Sequence, residues 1–263
     1  MIGFPVICCL AALTVSGGGG AEFHSAYVSR GKVNVDRPTV FLDANVVVDS
    51  GAFGFAQVGW WDFSSLTGRR QHGDGYRHHA FVENDLYGLY GYEFEFAPDW
   101  RLRAKAGFGW YILNGFTRPG DVVEQDVVTD VVFSCPYLTV SWFSRSDYWP
   151  RNDTSMTVGF FRPFELGYGF VFVPGFLLDG GNRKWVNQRH AASVSGESIS
   201  GGFTSMSFHA EIQYRVSDWC LLKAGCRHMD IFDRDARRSV DKSGQYWLHN
   251  DFPDVFFGVG CAF

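Results

Sequence analysis

Residues 203–216 read FTSMSFHAEIQYRV. Thr204, Met206, Phe208, Ala210, Ile212, Tyr214 and Val216 share one parity, and Ser205, Ser207, His209, Glu211, Gln213 and Arg215 share the other. A helix would scatter the charges around its axis. A strand, whose successive side chains point to opposite faces, separates them into one apolar and one polar face. The same period recurs outward along the chain. In 101–113, Leu102, Ala104, Ala106, Phe108, Trp110 and Ile112 oppose Arg101, Arg103, Lys105, Gly107, Gly109 and Tyr111. In 82–96, Leu86, Tyr90, Tyr92, Phe94 and Phe96 oppose Glu83, Asp85, Tyr87, Glu93 and Glu95. In 39–49, Val40, Leu42, Ala44, Val46 and Val48 oppose Asp43, Asn45 and Asp49. Such runs exceed the ~5–6 residues typical of soluble strands. They suit the ~9–11 residues that a tilted strand needs to cross a bilayer, plus overhang.

Composition points the same way. Aromatic residues make up 17% of the 263, while charged residues are only 19%, below the usual quarter. Mean hydropathy is nevertheless near zero, so apolar and polar residues alternate finely, as lipid- and lumen-facing positions of a barrel do. The net charge of −5 gives no reason to expect a nucleic-acid partner. Residues 1–16 (MIGFPVICCLAALTVS) form an apolar run too short to span as a helix, followed by GGGGA at 17–21. These features predict an export signal peptide over 1–21, cleaved after Ala21, ahead of a barrel over 22–263. The leader lacks Lys and Arg, and Cys8 and Cys9 fall within its apolar run, too early for a lipidated cysteine. Past Ala21 no stretch has the length of a transmembrane helix. Cys135, Cys220, Cys226 and Cys261 form no C-x-x-C pair, so no zinc or redox motif is expected.

The periodicity predicts an all-β, antiparallel up-and-down barrel of about twelve strands, over 23–30, 39–49, 52–63, 81–96, 101–113, 127–134, 137–145, 156–162, 166–178, 203–216, 219–232 and 252–263. Dropping a hairpin among the sixth to ninth strands would leave about ten. Tight connections at 50–51, 97–100, 135–136, 163–165 and 217–218 alternate with longer ones, notably 64–80, 114–126, 179–202 and 233–251. Short turns at one end and long loops at the other describe bacterial outer-membrane barrels. Two turns share an Asp-Trp pair, Asp99-Trp100 and Asp218-Trp219, and Trp100 and Trp219 suit a membrane–water interface.

The chain ends on a strand whose outward parity carries Val255, Phe257, Val259, Cys261 and Phe263. This resembles the C-terminal signal by which outer-membrane proteins of Gram-negative-type bacteria engage the barrel assembly machinery. That resemblance implies membrane lipid and lipopolysaccharide as surroundings. Near the other end, Ser25-Ala26-Tyr27-Val28-Ser29-Arg30-Gly31 resembles the opening Ser-x-Tyr-x-x-Arg-Gly segment of small putative porins of the TorF-like family. It implies a small outer-membrane barrel with a transport role and supplies no catalytic residues.

Parity assigns Asp43, Asp49, Glu83, Asp85, Glu93, Glu95, Arg101, Arg103, Lys105, Glu211, Arg215, Lys223 and Arg227 to the lumen. Acidic 83–95 precedes basic 101–105 across one hairpin, and Glu211 and Arg215 face Lys223 and Arg227 across another, so cross-strand ion pairs are expected. Paired charges could fill a narrow interior. Alternatively, they could divide a water-filled conduit into acidic and basic walls that orient a dipolar or zwitterionic solute.

A hydrolase is the competing class. His209 shares a face with Ser205 and Ser207, but i and i+2 side chains stand about 7 Å apart, too far for a Ser–His hydrogen bond. His228 lies on the outward face with no serine beside it. The loop 71–79 (QHGDGYRHH) holds His72, Asp74, His78 and His79 in no zinc spacing, so neither metal nor cofactor is expected. The basic segment 234–242 (RDARRSVDK) could meet lipopolysaccharide phosphates. Cys220 and Cys261 share the outward face near the periplasmic ends of the last two strands, and a disulfide is conceivable if register opposes them. The leading reading is passive passage of small polar solutes. The alternatives are a non-conducting structural or ligand-binding barrel acting through its loops, a lipid-modifying enzyme, and, for the fold, a soluble exported β-sandwich.

Overall fold

The computed structural model describes residues 13–30, 32–35, 37–66, 82–113, 123–149, 152–244 and 249–262. Its wall is built from β1 (Thr14–His24), β4 (Thr39–Asp49), β5 (Phe55–Ser65), β6 (Val82–Ala97), β7 (Trp100–Leu113), β8 (Val123–Cys135), β9 (Leu138–Trp149), β10 (Asp153–Phe161), β12 (Phe170–Gly181), β13 (Gly202–Ser217), β14 (Cys220–Ile231) and β15 (Asp251–Ala262). The short β11 (Phe164–Gly167) extends β10 alongside β12. β2 (Tyr27–Ser29) and β3 (Lys32–Val35) pair only with each other, outside the wall. Every wall pairing is antiparallel, and the order runs from β10 back through β4 to β1, on to β15 and back through β14 and β13 to β12, which returns to β10. The result is a closed twelve-stranded barrel. Closure satisfies the backbone hydrogen bonds of both sides of every strand, the condition for a sheet in lipid.

The expected parity holds on the outside. Val58, Leu86, Phe94, Phe108, Phe208, Ile212, Val255 and Phe257 are all exposed. An apolar band of this extent around a closed barrel belongs in a bilayer, which excludes the soluble sandwich. Among the described residues no helix is long and apolar enough to cross a membrane; the strands do the crossing, and the chain is a barrel of the bacterial outer-membrane type.

The first expected strand, 23–30, is corrected. The wall strand is Thr14–His24, and the chain leaves the wall at Ser25. β1 pairs Gly18 with Asn45 and Ala262, and Gly20 with Asp43 and Gly260. Glycine carries no side chain, so Gly17–Gly20 displays no parity and reads as a small-residue cleavage region. Most of β1 thus precedes the expected cleavage point at Ala21; residues 1–12 lie outside the described residues.

The turn expected at 163–165 is corrected as well. Pro163, lacking an N–H, interrupts the strand without reversing it. Arg162 still donates from its backbone to the Pro174 carbonyl at 3.2 Å. The reversal comes at Tyr168-Gly169, where Gly167, Tyr168 and Gly169 all have positive φ. Strands six and seven are longer than expected, reaching Val123–Cys135 and Leu138–Trp149.

At the loop end, α1 (Arg183–Arg189), α2 (Ala192–Ser195) and α3 (Arg234–Ser243) form a cap. Asn182 caps α1 by accepting from the Trp185 N–H at 2.9 Å, and Asp233 caps α3 by accepting from Ala236 N–H at 2.8 Å. Beneath them Ala26 and Val28 of the inner hairpin pack with Trp185, Val186, Ile199, Met229, Ile231, Ala236 and Val240. The connections that carry α1, α2 and α3 are therefore folded, with an apolar core of their own.

Register places Cys220 directly opposite Cys261. Ala262 N–H donates to Trp219 O at 3.0 Å, which makes the adjacent cysteine pair the non-hydrogen-bonded kind, with side chains closest. Both thiols are free. Mild oxidation of the folded barrel is expected to join Cys220 to Cys261 in preference to Cys135 or Cys226, as read by peptide mass spectrometry. A crosslink of another pairing would show that the last strand sits in a different register.

Candidate functional site

The candidate site is the lumen where the inner hairpin crosses it. At Ser25 the chain turns inward: Ser25 N–H donates to Val255 O at 2.8 Å, and Ser25 Oγ donates to Asp254 Oδ1 at 3.0 Å while accepting from Val255 N–H at 3.0 Å. Asp254 also accepts from Ala26 N–H at 3.3 Å and pairs with His24 Nδ1 at 2.8 Å. One fully buried carboxylate of β15 thus fixes the exit point. Tyr27 then inserts its ring among Phe63, Phe41 and Trp61, with centroids 4.1, 5.2 and 6.0 Å away, and its hydroxyl donates to Glu83 Oε2 at 3.4 Å.

Backbone carbonyls of so short a hairpin need partners, and guanidinium groups supply them. Arg227 of β14 donates to Val28 O, Arg189 of α1 donates to Ser29 O, and Arg30 Nη1 donates to Ser155 Oγ at 3.3 Å. Burial, and Glu83 beside it, push the Tyr27 phenol far above its usual range. Burial works against the Arg30 charge, but Tyr111, Tyr27, Glu83 and Asp85 outweigh it and raise its pKa. Burial and the neighbouring Arg30 lower Arg189 to about 10, so it is charged at neutral pH.

The other lumenal charges pair around this hairpin. Arg145 pairs with Asp126 and lies over the Tyr111 ring, 3.3 Å from its centroid. Lys223 reaches Glu22 at 2.5 Å, and Glu22 bonds His24 at 3.0 Å. Lys105 meets Asp130 at 3.0 Å and Gln57 at 3.0 Å. A cavity of about 420 Å³ remains, lined among others by Glu22, His24, Asp43, Trp61, Asp85, Tyr111, Asp179 and Arg227.

The expected lumen residues sort into two zones. Asp43, Asp85 and Arg227 line the cavity, and Glu83 is buried against Tyr27. Toward the turn end, Glu93, Glu95 and Arg101 keep side-chain exposures of 47, 57 and 55%. There Arg101 lies 3.9 Å from Glu95 and 4.0 Å from Glu93, and Arg103 stands opposite Glu93. Asp49 belongs to the β4–β5 turn, where it accepts from Gly51 N–H.

Other pairings differ from the hairpin ladders expected. Lys105 faces Gly91 on β6 but Asp130 on β8. Lys223 faces Gln213 on β13 and Gly258 on β15, and reaches over that glycine to Glu22 on β1. Glu211 instead meets Gln213 at 2.5 Å and His209 at 3.7 Å, Arg215 faces Leu221, and Arg227 lies 3.7 Å from Asp254. Each of these strands has two neighbours, and the tight turn joins it to only one of them.

Trp100 and Trp219 are exposed at the turn end, and Val255 and Phe257 are exposed on the outward parity of β15, while Phe263 lies outside the described residues. His209 stacks on Phe256 at 5.5 Å and meets Phe161 edge-on, and His228 stands opposite Phe208 and Pro253. The segment 234–242 is α3; Arg237 pairs with Asp230, and Lys242 with Glu197. The 71–79 loop lies outside the described residues, among which no group of three or more His, Cys, Asp or Glu could hold a metal ion.

Sequence reasoning missed Glu22, His24, Tyr27, Arg30, Asp126, Asp130, Arg145, Asp179 and Arg189. Asp130 lay inside the expected strand 127–134, continuing its parity by one residue would have found Asp126, and Arg145 stood at the end of 137–145.

The Asp126–Arg145 pair is deeply buried. Replacing only one partner (Arg145→Met) strands a carboxylate and is expected to cost about 3–5 kcal/mol. The double replacement with Asp126→Leu should recover much of that, as measured by urea unfolding in detergent micelles.

No family model matches the chain, and no curated protein matches it. Among solved structures it is similar to the KdgM porin (10% identity, TM-score 0.46), covering 94% of this chain and 99% of that one. It is similar to an outer-membrane channel from Pseudomonas putida F1 (10% identity, TM-score 0.49, covering 94% and 95%). It is also similar to the translocator domain of the autotransporter NalP from Neisseria meningitidis (10% identity, TM-score 0.41, covering 95% and 88%).

Proposed function

We propose that the chain is a narrow passive channel for small polar solutes, constricted by the inner hairpin. The observation that carries this reading is the division of the lumen: the hairpin occupies its loop-end part over a polar cavity, while Glu93, Glu95 and Arg101 below it remain half open to water. An interior filled only by paired charges would bury these groups. The residues that resemble the TorF-like opening segment, Ser25 to Arg30, are those that enter the lumen, which supports the porin reading. The terminal strand fits the barrel assembly machinery, and the aromatic outer face fits lipid. The exposed Arg234 of α3 fits lipopolysaccharide phosphate.

A second reading, a non-conducting barrel that binds a partner through its loops, is favoured by the folded cap over the mouth. Conductance of the refolded chain in a planar bilayer separates the two. The channel reading expects small steady openings that grow when 26–36 is deleted, and a shift toward anions when Glu93 and Glu95 are replaced by Gln. Silence of both the full chain and the deletion variant, with both inserted as heat-modifiable barrels, would leave the cap as the functional surface.

A further inference from the structure

The point where the inner hairpin leaves the wall is built around one imidazole. His24 Nδ1 lies 2.8 Å from Asp254 Oδ2, and its Nε2 lies 3.0 Å from Glu22 Oε2. A neutral imidazole carries one N–H; only the protonated ring donates from both nitrogens. Two carboxylates in hydrogen-bond contact with one ring therefore call for the imidazolium. The ring is buried between Phe41, edge-on at 4.5 Å, and Phe256, stacked at 5.1 Å, so turning it away means repacking both.

The surrounding charges leave this arrangement to His24. Lys223 of β14 holds Glu22, and Arg227 of the same strand lies 3.7 Å from Asp254. His209 of β13 also stacks on Phe256 and meets Glu211 at 3.7 Å. Asp43, Asp85, Asp179, Tyr27, Arg30 and Tyr111 share the cavity with His24 from the other elements. Among the described residues, Glu22 and Asp254 alone bond its ring.

Two holds on the hairpin converge on Asp254. Its Oδ1 accepts from Ser25 Oγ and Ala26 N–H, and Arg227 beside it donates to Val28 O. If the ring loses its proton, one nitrogen presents a lone pair to a carboxylate. The bond that remains has lost the charge of its donor and is weaker for it. Asp254, a fully buried carboxylate, is then left with Arg227 as its nearest cation, and a guanidinium drawn toward it leaves Val28 O. Loss of one proton thus loosens the hairpin at Ser25–Ala26 or at Val28.

We propose that His24 is a proton-operated latch on the inner hairpin: charged, it holds the hairpin across the lumen, and neutral, it releases it. The hold is complete while the ring is charged and is lost as rising pH removes its proton. The effect on conductance rests on the channel reading above; the hold itself does not.

Hydrogen exchange of peptides covering 25–30 measures the hold, read by mass spectrometry on the refolded full chain in detergent at about pH 6 and about pH 8 and corrected for intrinsic rates. Protection is expected to fall roughly ten-fold or more toward the higher pH, the worth of one hydrogen bond to a charged group, while β6 stays unchanged. His24→Gln, which cannot be charged, should show the looser hairpin at both pH values. His209→Gln should keep the pH dependence. Heat-modifiable migration verifies that each variant is folded. Equal protection at both pH values, a dependence that survives His24→Gln, or its loss in His209→Gln would overturn the latch. In planar bilayers, wider openings are expected at the higher pH and no pH response from His24→Gln. Steady openings with pH-independent protection sink the latch alone. A silent barrel whose hairpin protection follows pH through His24 retains the latch and sinks the channel reading.

Discussion

The constraint on which the rest of the molecule depends is that a sheet in hydrocarbon can have no edge. β1 meets it by pairing along its length with β4 on one side and β15 on the other, and β10 and β12 meet it where Pro163 interrupts the strand. Once the ring is closed, every strand has one face toward lipid and one toward the lumen. The alternation of Phe208, Ile212 and Tyr214 with His209, Glu211 and Gln213 follows from that geometry. So does the confinement of irregular backbone to the two ends and the interior.

Closure concentrates polar groups in a small space. Ions withdrawn from water lose several kcal/mol of hydration each unless they are paired and hydrogen-bonded. The lumen answers with pairs between strands: Glu22 with Lys223 and His24 with Asp254 link strands distant in sequence, and Arg145 with Asp126 links the consecutive β9 and β8. Asp254 does two jobs at once. It holds His24 in the wall and accepts the Ser25 hydroxyl and the Ala26 N–H, so it sets where the chain departs inward. The hairpin that follows is held from above by the apolar cap and from the side by Tyr27 among Phe41, Trp61 and Phe63. Wall, hairpin and cap are therefore one packed unit at the loop end, whereas the turn end stays open enough for Glu95 and Arg101 to remain solvated.

Much of the fold was legible because period-2 patterning is local. Strands rich in side chains, such as 39–49 and 101–113, fall in the wall with the parity read from sequence, and Asp43, Asp85 and Arg227 reach the cavity. Where the pattern was silent or ambiguous, the reading erred. Glycines 17–20 have no side chains to alternate, so a wall strand resembled the end of a leader. Pro163 suggested a turn because it cannot donate to a ladder, yet the neighbouring strand accommodates it and the chain reverses only at Tyr168-Gly169. The charged hairpins suggested ladders within each hairpin. Lys223 instead crosses Gly258 of β15 to find Glu22 on β1, a strand two places round the barrel and far away in sequence.

The sequence by itself determined which residues alternate, and therefore the barrel class, the lipid-facing aromatics and the polar character of the interior. Side-chain parity is a property of consecutive residues and needs no partner to be read. The tertiary structure decided where the ring closes, which charges meet, and that residues 25–30 leave the wall to cross the lumen. Those outcomes depend on contacts between residues separated by as much as the length of the barrel, such as Ser25 with Asp254, |i−j| of 229. No local period encodes such a separation.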